Sequence, residues 1–218
     1  MSLTIDKAQV TLGNQSWSFD MALDTHGVYA LLGRSGAGKS TLLNAIGGYI
    51  EPDSGQVAWK NHPLNGLAPA HRPITTLFQS DNLFAHLSVA DNIGLGIDPR
   101  MSLDKQQIEA IGAALSDVGL GGFGARKPHS LSGGERQRVA LARCLLRARP
   151  VLLMDEPFGA LDGNTRANML SLTRDLIARN RPCVLMITHD PADATTIEAE
   201  SLYLGNGGLI HKHVQPTM

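Results

Sequence analysis

The segment GRSGAGKST at residues 33–41 has the composition of a loop that binds phosphate groups. Glycines allow backbone N–H groups to turn toward an anion, and the start of a following helix adds the positive end of its dipole. Lys39 would reach the β- and γ-phosphates of a nucleotide, and the Ser40 hydroxyl would contact Mg²⁺. Kinases, GTPases and many ATPases share such a loop. The predicted nucleotide site comprises Gly33, Arg34, Ser35, Gly36, Ala37, Gly38, Lys39, Ser40 and Thr41.

Two adjacent carboxylates, Asp155 and Glu156, follow the apolar run of VLLMDEP at residues 151–157. Ligands of open α/β sheets collect at the carboxyl ends of parallel strands, so both side chains are candidates for nucleotide chemistry. Asp155 is suited to hold Mg²⁺ through water, and Glu156 to polarise the water that attacks the γ-phosphate. Taken alone, the pair fits the polar end of a structural strand equally well.

Two further polar side chains also follow apolar runs. His189 follows the run in MITHD, where its imidazole could hydrogen-bond the γ-phosphate and position the attacking water. Gln79 closes the run ITTLFQ and could coordinate Mg²⁺ or water. A lone histidine is more often structural than catalytic, but the end of a third parallel strand would place His189 at the sheet edge of Lys39 and Glu156.

The segment LSGGERQ at residues 131–137 predicts a second helix start that is able to bind an anion. Ser132 and Glu135 have the spacing of a capping box, and Gly133 and Gly134 leave backbone N–H groups bare. A plain helix cap is the alternative. Because the chain already has one complete phosphate loop, we expect this helix end to serve a nucleotide bound by another copy of the chain.

Buried parallel strands and the helices between them must position these groups. The apolar runs that predict such strands are Val28–Leu32, Val151–Met154 and Val184–Ile187. Helical patterns cover Ser40–Ile46, with a predicted C-cap at the following glycines 47 and 48, and Asp162–Asn180. The second pattern has an apolar stripe at Met169, Leu172, Leu176 and Ile177. Their order predicts an α/β layered domain.

Other patterns predict additions to that α/β core. Alternating residues at Leu3–Leu12, Phe19–Leu23 and Gly55–Lys60 indicate an antiparallel sheet, and Leu202–Ile210 indicates a closing hairpin. The stretch from about residue 81 to 149 has helical spacing and few strand signals, which predicts a helical subdomain. We expect residues 1–218 to form one domain.

The composition is that of a globular chain without a strong overall field. Of the 218 residues, 43% are hydrophobic and 18% are charged, and the net charge is −1. We interpret the arginines from Arg136 to Arg149 as a solvated helix face, because too few aromatic residues lie among them to stack nucleic-acid bases. Cys144 and Cys183 lie in apolar patterns, which predicts buried free thiols in a reducing cytosol.

The sequence gives no pattern for crossing a membrane. The opening residues MSLTIDKAQVTL alternate like a strand, which predicts that no signal peptide is present. The apolar runs are far shorter than the roughly 20 residues of a spanning helix. We therefore expect any membrane role to come through a partner protein.

Six segments, in family order, resemble the nucleotide-binding domain of ABC transporters over essentially the whole chain. They are the Walker A loop at 33–41, the Q-loop at Gln79, the signature at 131–137, the Walker B strand at 151–157, the D-loop at 160–162 and the switch histidine at His189. The resemblance implies a P-loop NTPase fold with a RecA-like core, an antiparallel β subdomain and a helical subdomain. It also implies an ATPase that uses ATP and Mg²⁺.

The resemblance assigns a role to each matched residue. Catalytic roles fall to Glu156 as general base, His189 as γ-phosphate sensor, Gln79 and Lys39. The implied metal ligands are Ser40, Gln79 and Asp155. The signature residues and the D-loop would complete a site shared between two copies, through Ser132, Gly133, Gly134 and Asp162.

One feature departs from the family pattern. Family members usually place an aromatic residue near the end of the first strand, where it stacks on adenine, and the aligned position here is Leu12. Trp17 is close enough to replace it, but it fits a core position equally well. The residue that stacks on adenine therefore stays open.

The segment Asn82–Pro99, the residues SLSGGERQRVALARCL and the compact length resemble bacterial importer ATPases, most closely those of thiamine importers. The implied partners are a second copy of the chain, a polytopic permease and, for an importer, a periplasmic solute-binding protein, with no nucleic acid. The chain would lie as a peripheral protein on the cytoplasmic face of the inner membrane. Many importers share the segment, so another solute, or export, stays open.

Non-transport relatives and P-loop kinases are the alternative classes. DNA-repair relatives need a long coiled coil between the phosphate loop and the signature, and no sustained heptad lies between Gln79 and Ser132. Translation-factor relatives usually join two such domains in one chain. A small-molecule kinase has no use for LSGGERQ, and a binding module without hydrolysis would lack Glu156.

Overall fold

The computed structural model describes residues 2–79, 82–205, 207 and 210–212. Strands β1–β10 are, in chain order, Ser2–Leu12, Gln15–Asp24, Val28–Leu32, Ser54–Trp59, His62–Pro63, Ile74–Leu77, Val151–Asp155, Cys183–Ile187, Glu200–Leu204 and Ile210–Lys212. Helices α1–α6 are Lys39–Gly47, Val89–Gly94, Lys105–Asp117, Gly133–Leu146, Gly163–Asn180 and Pro191–Thr196. The chain divides into a core unit (Met1–Thr76, Pro150–Glu156 and Arg181–Met218) and a helical unit (Leu77–Arg149 and Pro157–Asn180).

Two sheets build the core unit. One has the strand order β2-β1-β4-β5 and the other has the order β10-β9-β3-β8-β7-β6. Pairing in the first sheet is antiparallel. In the second sheet β3 lies parallel to both β8 and β9, and β7 lies parallel to β8. The structure thus confirms the expected α/β fold, with a parallel core and a separate antiparallel sheet.

Burial explains why these residues form these strands. The central strands β3, β7 and β8 are buried along almost their whole length, as their continuous apolar runs predict. In β2 buried and exposed residues alternate near Trp17 and Phe19, as expected for a sheet with one face on the core. Leu42 and Leu43 of α1 join side chains from both sheets in one buried cluster. Burial of each such leucine side chain stabilises the fold by about 1.5–3 kcal/mol relative to an exposed one.

Two predicted chain reversals occur in the core unit. Gly48, at φ 80°, closes α1 in the left-handed region, which confirms the predicted C-cap. The predicted closing hairpin corresponds to β9 and β10, which pair antiparallel from Leu204 to Ile210. Residues 206, 208 and 209 of its turn lie outside the described residues.

Capping boxes mark the helix starts of the helical unit. Ser88 and Asp91 cap α2, Asp104 and Gln107 cap α3, and Ser132 caps α4 together with Glu135. Each box satisfies two backbone N–H groups that a helix start leaves without an intrahelical partner. The long helix α5 belongs to the same unit.

Two predictions for this unit are partly wrong. The arginines after Arg136 do not form a fully solvated face: Arg138 and Arg143 are half-buried, and burial lowers the pKa of Arg143. Leu172, part of the apolar pattern of the predicted helix 162–180, is also only half-buried. The buried position beside it belongs to Thr173, whose hydroxyl donates to the Met169 carbonyl at 2.6 Å and so satisfies its own polarity.

The cysteines lie where their apolar surroundings predicted. Neither Cys144 nor Cys183 forms a disulfide, and both side chains are buried. Burial raises the pKa of Cys144 to about 11 and that of Cys183 to about 12, so both thiols stay protonated at neutral pH. Among the described residues, no helix combines the length and apolar character needed to cross a membrane.

Candidate functional site

The phosphate loop joins the end of β3 to the start of α1. Gly38 is the N-cap of α1, in a left-handed conformation at φ 98°, and no side chain caps this helix start. The first N–H groups of α1 therefore donate no hydrogen bond to an N-cap side chain. Lys39 is only 6% exposed, because its ammonium folds back and donates to the carbonyls of Gly33 at 2.9 Å and Arg34 at 3.1 Å.

Trp17 packs directly on this loop. It is 8% exposed and belongs to the core cluster, and a Cβ added at Gly38 would lie 2.5 Å from its Cδ1. A side chain at position 38 is thus opposed by both the backbone conformation and the indole. Leu12 is 45% exposed. Of the two positions left open by the sequence, Trp17 is the core residue.

A cavity of about 240 Å³ lies beside the loop. It is smaller than the roughly 300–1,000 Å³ of a typical drug-sized ligand pocket, so its size suits one part of a nucleotide. Its walls come from β2, the phosphate loop and the turn after β9, through Gln15, Ser16, Trp17, Gly36, Ala37 and Gly207.

Ser40 and Asp155 face each other at the ends of two elements. The Ser40 hydroxyl, in the first turn of α1, donates to Asp155 Oδ1 at 3.3 Å, at the end of β7. Burial raises the pKa of Asp155, against the opposing effects of the Ser40 hydrogen bond and the Lys39 charge. A hydroxyl and a carboxylate at this separation offer the hard oxygen ligands that Mg²⁺ prefers, so the residues present fit the implied metal.

Glu156 and His189 are in direct contact. Glu156 Oε1 pairs with His189 Nε2, and the Glu156 N–H donates to the Ile187 carbonyl at 3.1 Å. Glu156 has φ 43°, a left-handed conformation that is uncommon outside glycine and often stores strain at functional sites. The structure therefore brings Lys39, Asp155, Glu156 and His189 to the carboxyl ends of β3, β7 and β8, as the sequence predicted.

The LSGGERQ segment forms the start of α4, in the helical unit. Ser132 Oγ accepts from the Glu135 N–H at 3.3 Å, and Glu135 Oε2 accepts from the Ser132 N–H at 2.7 Å. The predicted capping box is thus confirmed, and the Ser132 N–H lowers the pKa of Glu135. A Cβ at Gly134 would lie 2.7 Å from Thr165 Cγ2, so α4 and α5 approach too closely there for a larger residue.

Three further polar residues of the helical unit occupy defined positions. Asp162 Oδ1 accepts from the Thr165 N–H at 3.0 Å, next to the start of α5, and this bond lowers the pKa of Asp162. The amide of Gln137 donates to the Gln79 carbonyl at 3.2 Å. Gln137 was not predicted as a site residue, although its place one helical turn after Gly133 was an available signal.

A second cavity, of about 520 Å³, lies within the helical unit. Gln79, the segment from Asn82 to Ala85, the start of α4 with the residues before it, and the residues before α5 form its walls. They contribute Gln79, Asn82, Leu83, Ala85, Pro128, His129, Gly133, Arg136, Gln137, Ala160 and Leu161.

Comparison with known proteins places this geometry in a family. The family model described as ABC transporter matches residues 17–159. The thiamine import ATP-binding protein ThiQ of Rhizobium meliloti is 44% identical over 209 residues, which cover 96% of this chain and 88% of that protein. The protein of the same name from Photobacterium profundum is 48% identical over 192 residues, covering 88% and 80%.

A solved structure agrees with these sequence matches. The ATP-binding cassette MJ0796, described as a dimer in a post-hydrolysis state bound to ADP and Pi, superposes with a TM-score of 0.79 at 28% identity. The match covers 97% of this chain and 98% of that one. The chain therefore belongs to the ABC transporter family, as one of its ATP-binding and ATP-hydrolysing subunits.

Proposed function

We propose that this chain energises the import of thiamine through a separate membrane permease. The observation that carries the proposal is the similarity to proteins named for thiamine import, at 44% identity over 96% of the chain in one case and 48% over 88% in another. The site described above provides the ATPase that such an importer needs. Substrate selection would fall to the partners, because this chain drives transport without contacting the solute.

In the proposed site the phosphate loop holds ATP. The uncapped start of α1 and the ammonium of Lys39 supply positive charge to the phosphates, where Lys39 would exchange its bonds to the Gly33 and Arg34 carbonyls for phosphate oxygens. The 240 Å³ cavity beside the loop would receive part of the nucleotide. Ser40 and Asp155, which are hydrogen-bonded to each other, would hold Mg²⁺, which neutralises phosphate charge when bound.

Hydrolysis in this proposal depends on Glu156 and His189. The Glu156 carboxylate accepts a proton from the attacking water, and His189 contacts the γ-phosphate and keeps that water in line. In this structure the Nε2 atom of His189 pairs with Glu156, so a γ-phosphate bonded through that same nitrogen would displace Glu156.

We infer a head-to-tail dimer with two shared sites. The start of α4 presents Ser132, Gly133 and Gly134 in the helical unit, whereas the phosphate loop belongs to the core unit. In a symmetric pair each signature would close on the ATP bound by the other copy, with Asp162 beside it. The nucleotide that is bound would then determine whether the dimer is closed, which couples ATP hydrolysis to movement of the subunits. The dimeric description of the MJ0796 structure supports the formation of a dimer.

The permease is proposed to bind near the 520 Å³ cavity of the helical unit. Phe84 is 50% exposed and follows Leu83, which lines the cavity. Its exposed apolar side chain could therefore contact a helix of the permease. The chain would then work as a peripheral protein on the cytoplasmic face of the inner membrane, with a periplasmic solute-binding protein on the other side. The whole chain would act as one ABC domain, with residues from about 81 to 149 as its helical subdomain.

A charge at Phe84 tests the permease surface. Phe84→Asp should abolish transport while the purified subunit keeps its ATPase activity, because the change lies on the proposed contact and not at the phosphate loop. Glu109→Gln, an exposed change on α3, is the control and should leave both intact. Loss of nucleotide binding by Phe84→Asp would instead show that this segment supports the ATP site.

The substrate is tested in the native cell. Deletion of the gene should lower the uptake of labelled thiamine at limiting concentration, and the wild-type chain, but not Glu156→Gln, should restore it. Uptake of an unrelated vitamin serves as the control. If thiamine uptake is unchanged in a strain without a second thiamine system, the substrate proposal is wrong, whereas the ATPase measured in vitro is unaffected by that result.

A further inference from the structure

Arg72 is the largest fully buried side chain of the described residues. It is 0% exposed, and burial lowers the pKa of its guanidinium, while the charge of Glu51 opposes that effect. A buried charge is costly unless it is paired and hydrogen-bonded. The partners of Arg72 should therefore show what the core unit gains from it.

Those partners are the last turn of α1 and two neighbouring segments. One terminal nitrogen of the guanidinium donates to the carbonyls of Ala45 and Ile46, both at 2.9 Å. Its Nε donates to the Leu67 carbonyl at 3.0 Å, and its other terminal nitrogen pairs with Glu51 at 3.3 Å. Arg72 thus ties the C-terminus of α1 to the chain before and after β4 and β5.

A helix C-terminus needs such a partner. The last carbonyls of a helix have no intrahelical donor, and they form the negative end of the helix dipole. In α1 the N–H groups of Gly48 and Tyr49 satisfy part of this need, and Arg72 supplies a full positive charge. Gly48 makes room for it, since a Cβ there would lie 2.4 Å from Arg72 Nε.

We propose that Arg72 is a positioning residue for ATP binding, which holds α1 by its C-terminal carbonyls and so fixes the phosphate loop at the other end of the helix. α1 has nine residues and is a rod of roughly 13 Å, too short to bend appreciably. A shift of its last turn is therefore carried to Lys39 and Gly38 at its first turn. The inference rests on the proposed binding of ATP by the loop of residues 33–41.

The first test is ATP binding by the isolated subunit. Arg72→Met removes every bond of the guanidinium, and Arg72→Lys keeps the charge without the fork that reaches three carbonyls. We expect the Kd for ATP to rise about tenfold or more in Arg72→Met and by less in Arg72→Lys. At saturating ATP, kcat should stay within about threefold, because Arg72 contacts no reacting atom.

Val184→Ala is the matched control for lost stability. Val184 is fully buried in β8 but lies outside the core cluster that contains the α1 leucines. The variant Val184→Ala should lower Tm, as the Arg72 variants do, but it should bind ATP with the wild-type Kd. If Arg72→Met does not fold, Arg72→Lys decides by the same comparison. Wild-type Kd in a destabilised Arg72 variant would show that Arg72 only supports the fold, and would overturn the proposal.

Trp17 reports the position of the loop directly, because its indole packs on Gly38. In a Trp59→Phe background, which leaves Trp17 as the single tryptophan, emission without ATP should shift in the Arg72 variants and not in Val184→Ala. Unshifted emission would count against the proposal. Lys39→Ala separates the two levels of inference: if it binds ATP normally, the loop assignment fails and the Arg72 proposal with it, whereas normal binding by Arg72 variants alone removes only the latter.

Discussion

The helices α1 and α4 begin in opposite ways, although the sequence predicts an anion site at both. α1 starts at a left-handed glycine, so no N-cap side chain accepts from its first backbone N–H groups. α4 starts with a complete capping box, in which Ser132 and Glu135 satisfy each other's backbone N–H groups. The start of α1 can therefore bind the anion of a ligand, whereas the start of α4 already has the Glu135 carboxylate next to it.

This difference assigns unequal tasks to the two helix starts. The α1 end can bind phosphates through its backbone and Lys39. At α4 the groups without a capping role are the N–H groups of Gly133 and Gly134, and the nearby Glu135 carboxylate is kept ionised by the Ser132 N–H, which lowers its pKa. We infer that α1 provides most of the affinity for ATP, and that α4 contributes on closure of a dimer.

The largest effect is expected from a change at Glu156, which follows β7 and belongs to the same unit as α1. Glu156→Gln should reduce ATP turnover by about 10²-fold or more, because it removes a positioned general base. ATP binding should remain, since the phosphate loop is unchanged, and ATP should accumulate in a closed dimer detected by size-exclusion chromatography. Glu109→Gln on α3 is the matched control. Near-normal hydrolysis by Glu156→Gln would remove this residue from the catalytic role.

Mixing two inactive variants tests whether the two helix ends meet across a dimer. Lys39→Ala disables the α1 end and Ser132→Arg the α4 end, so each variant alone should be inactive. A mixed dimer keeps one site in which both ends are intact. An equal mixture should recover up to about a quarter of wild-type activity, because half of the random dimers are mixed and each has one of two sites.

Controls for the mixture concern folding and concentration. Ser116→Arg places the same change at an exposed position of α3 and should not reduce activity. Wild-type hydrolysis should rise more than linearly with protein concentration when the subunit is dilute. Wild-type rates from Ser132→Arg alone, linear in concentration, would show that each chain works by itself.

The sequence predicted the α1 end and the sheet edge well because their signals are local. Neighbouring residues in the sequence are enough to predict a glycine-rich loop between a strand and a helix. They are also enough to place polar residues at the end of a buried strand. The role of Arg72 could not be predicted, since nothing local indicates that its guanidinium meets carbonyls of Ala45 and Ile46 across 26 or more residues of chain. Trp17 was ambiguous for the same reason: its contact with Gly38 is long-range.

A smaller effect is expected when the charge of the α4 end is removed. Glu135→Gln should keep the capping box, since glutamine serves at this position as well as glutamate. It removes a negative charge close to the proposed phosphate contact of α4, so the KM for ATP should fall by about two- to fivefold at low salt, and by less at high salt. Glu135→Ala separates charge from capping, because it loses both. An unchanged KM in Glu135→Gln at every salt concentration would contradict a phosphate near this helix end.

The smallest effect concerns stability, where Asp155 on the α1 side and Glu135 of α4 should respond to pH with opposite signs. Burial raises the pKa of Asp155, so its ionised form is less favourable in the folded chain than in the unfolded one, and Asp155 opposes folding at neutral pH. Asp155→Asn should therefore raise Tm at pH 7 by a few degrees or less, and the gain should shrink as the pH falls and the wild-type carboxyl becomes protonated.

The pKa of Glu135 is lowered, so its carboxylate stabilises the fold above its unfolded pKa, and Glu135→Gln should lose a little stability at pH 7 but not in acid. Thermal unfolding of both variants between pH 4 and 8 checks the two signs, and a lower Tm for Asp155→Asn at pH 7 would show that its bond from Ser40 outweighs the cost of burial.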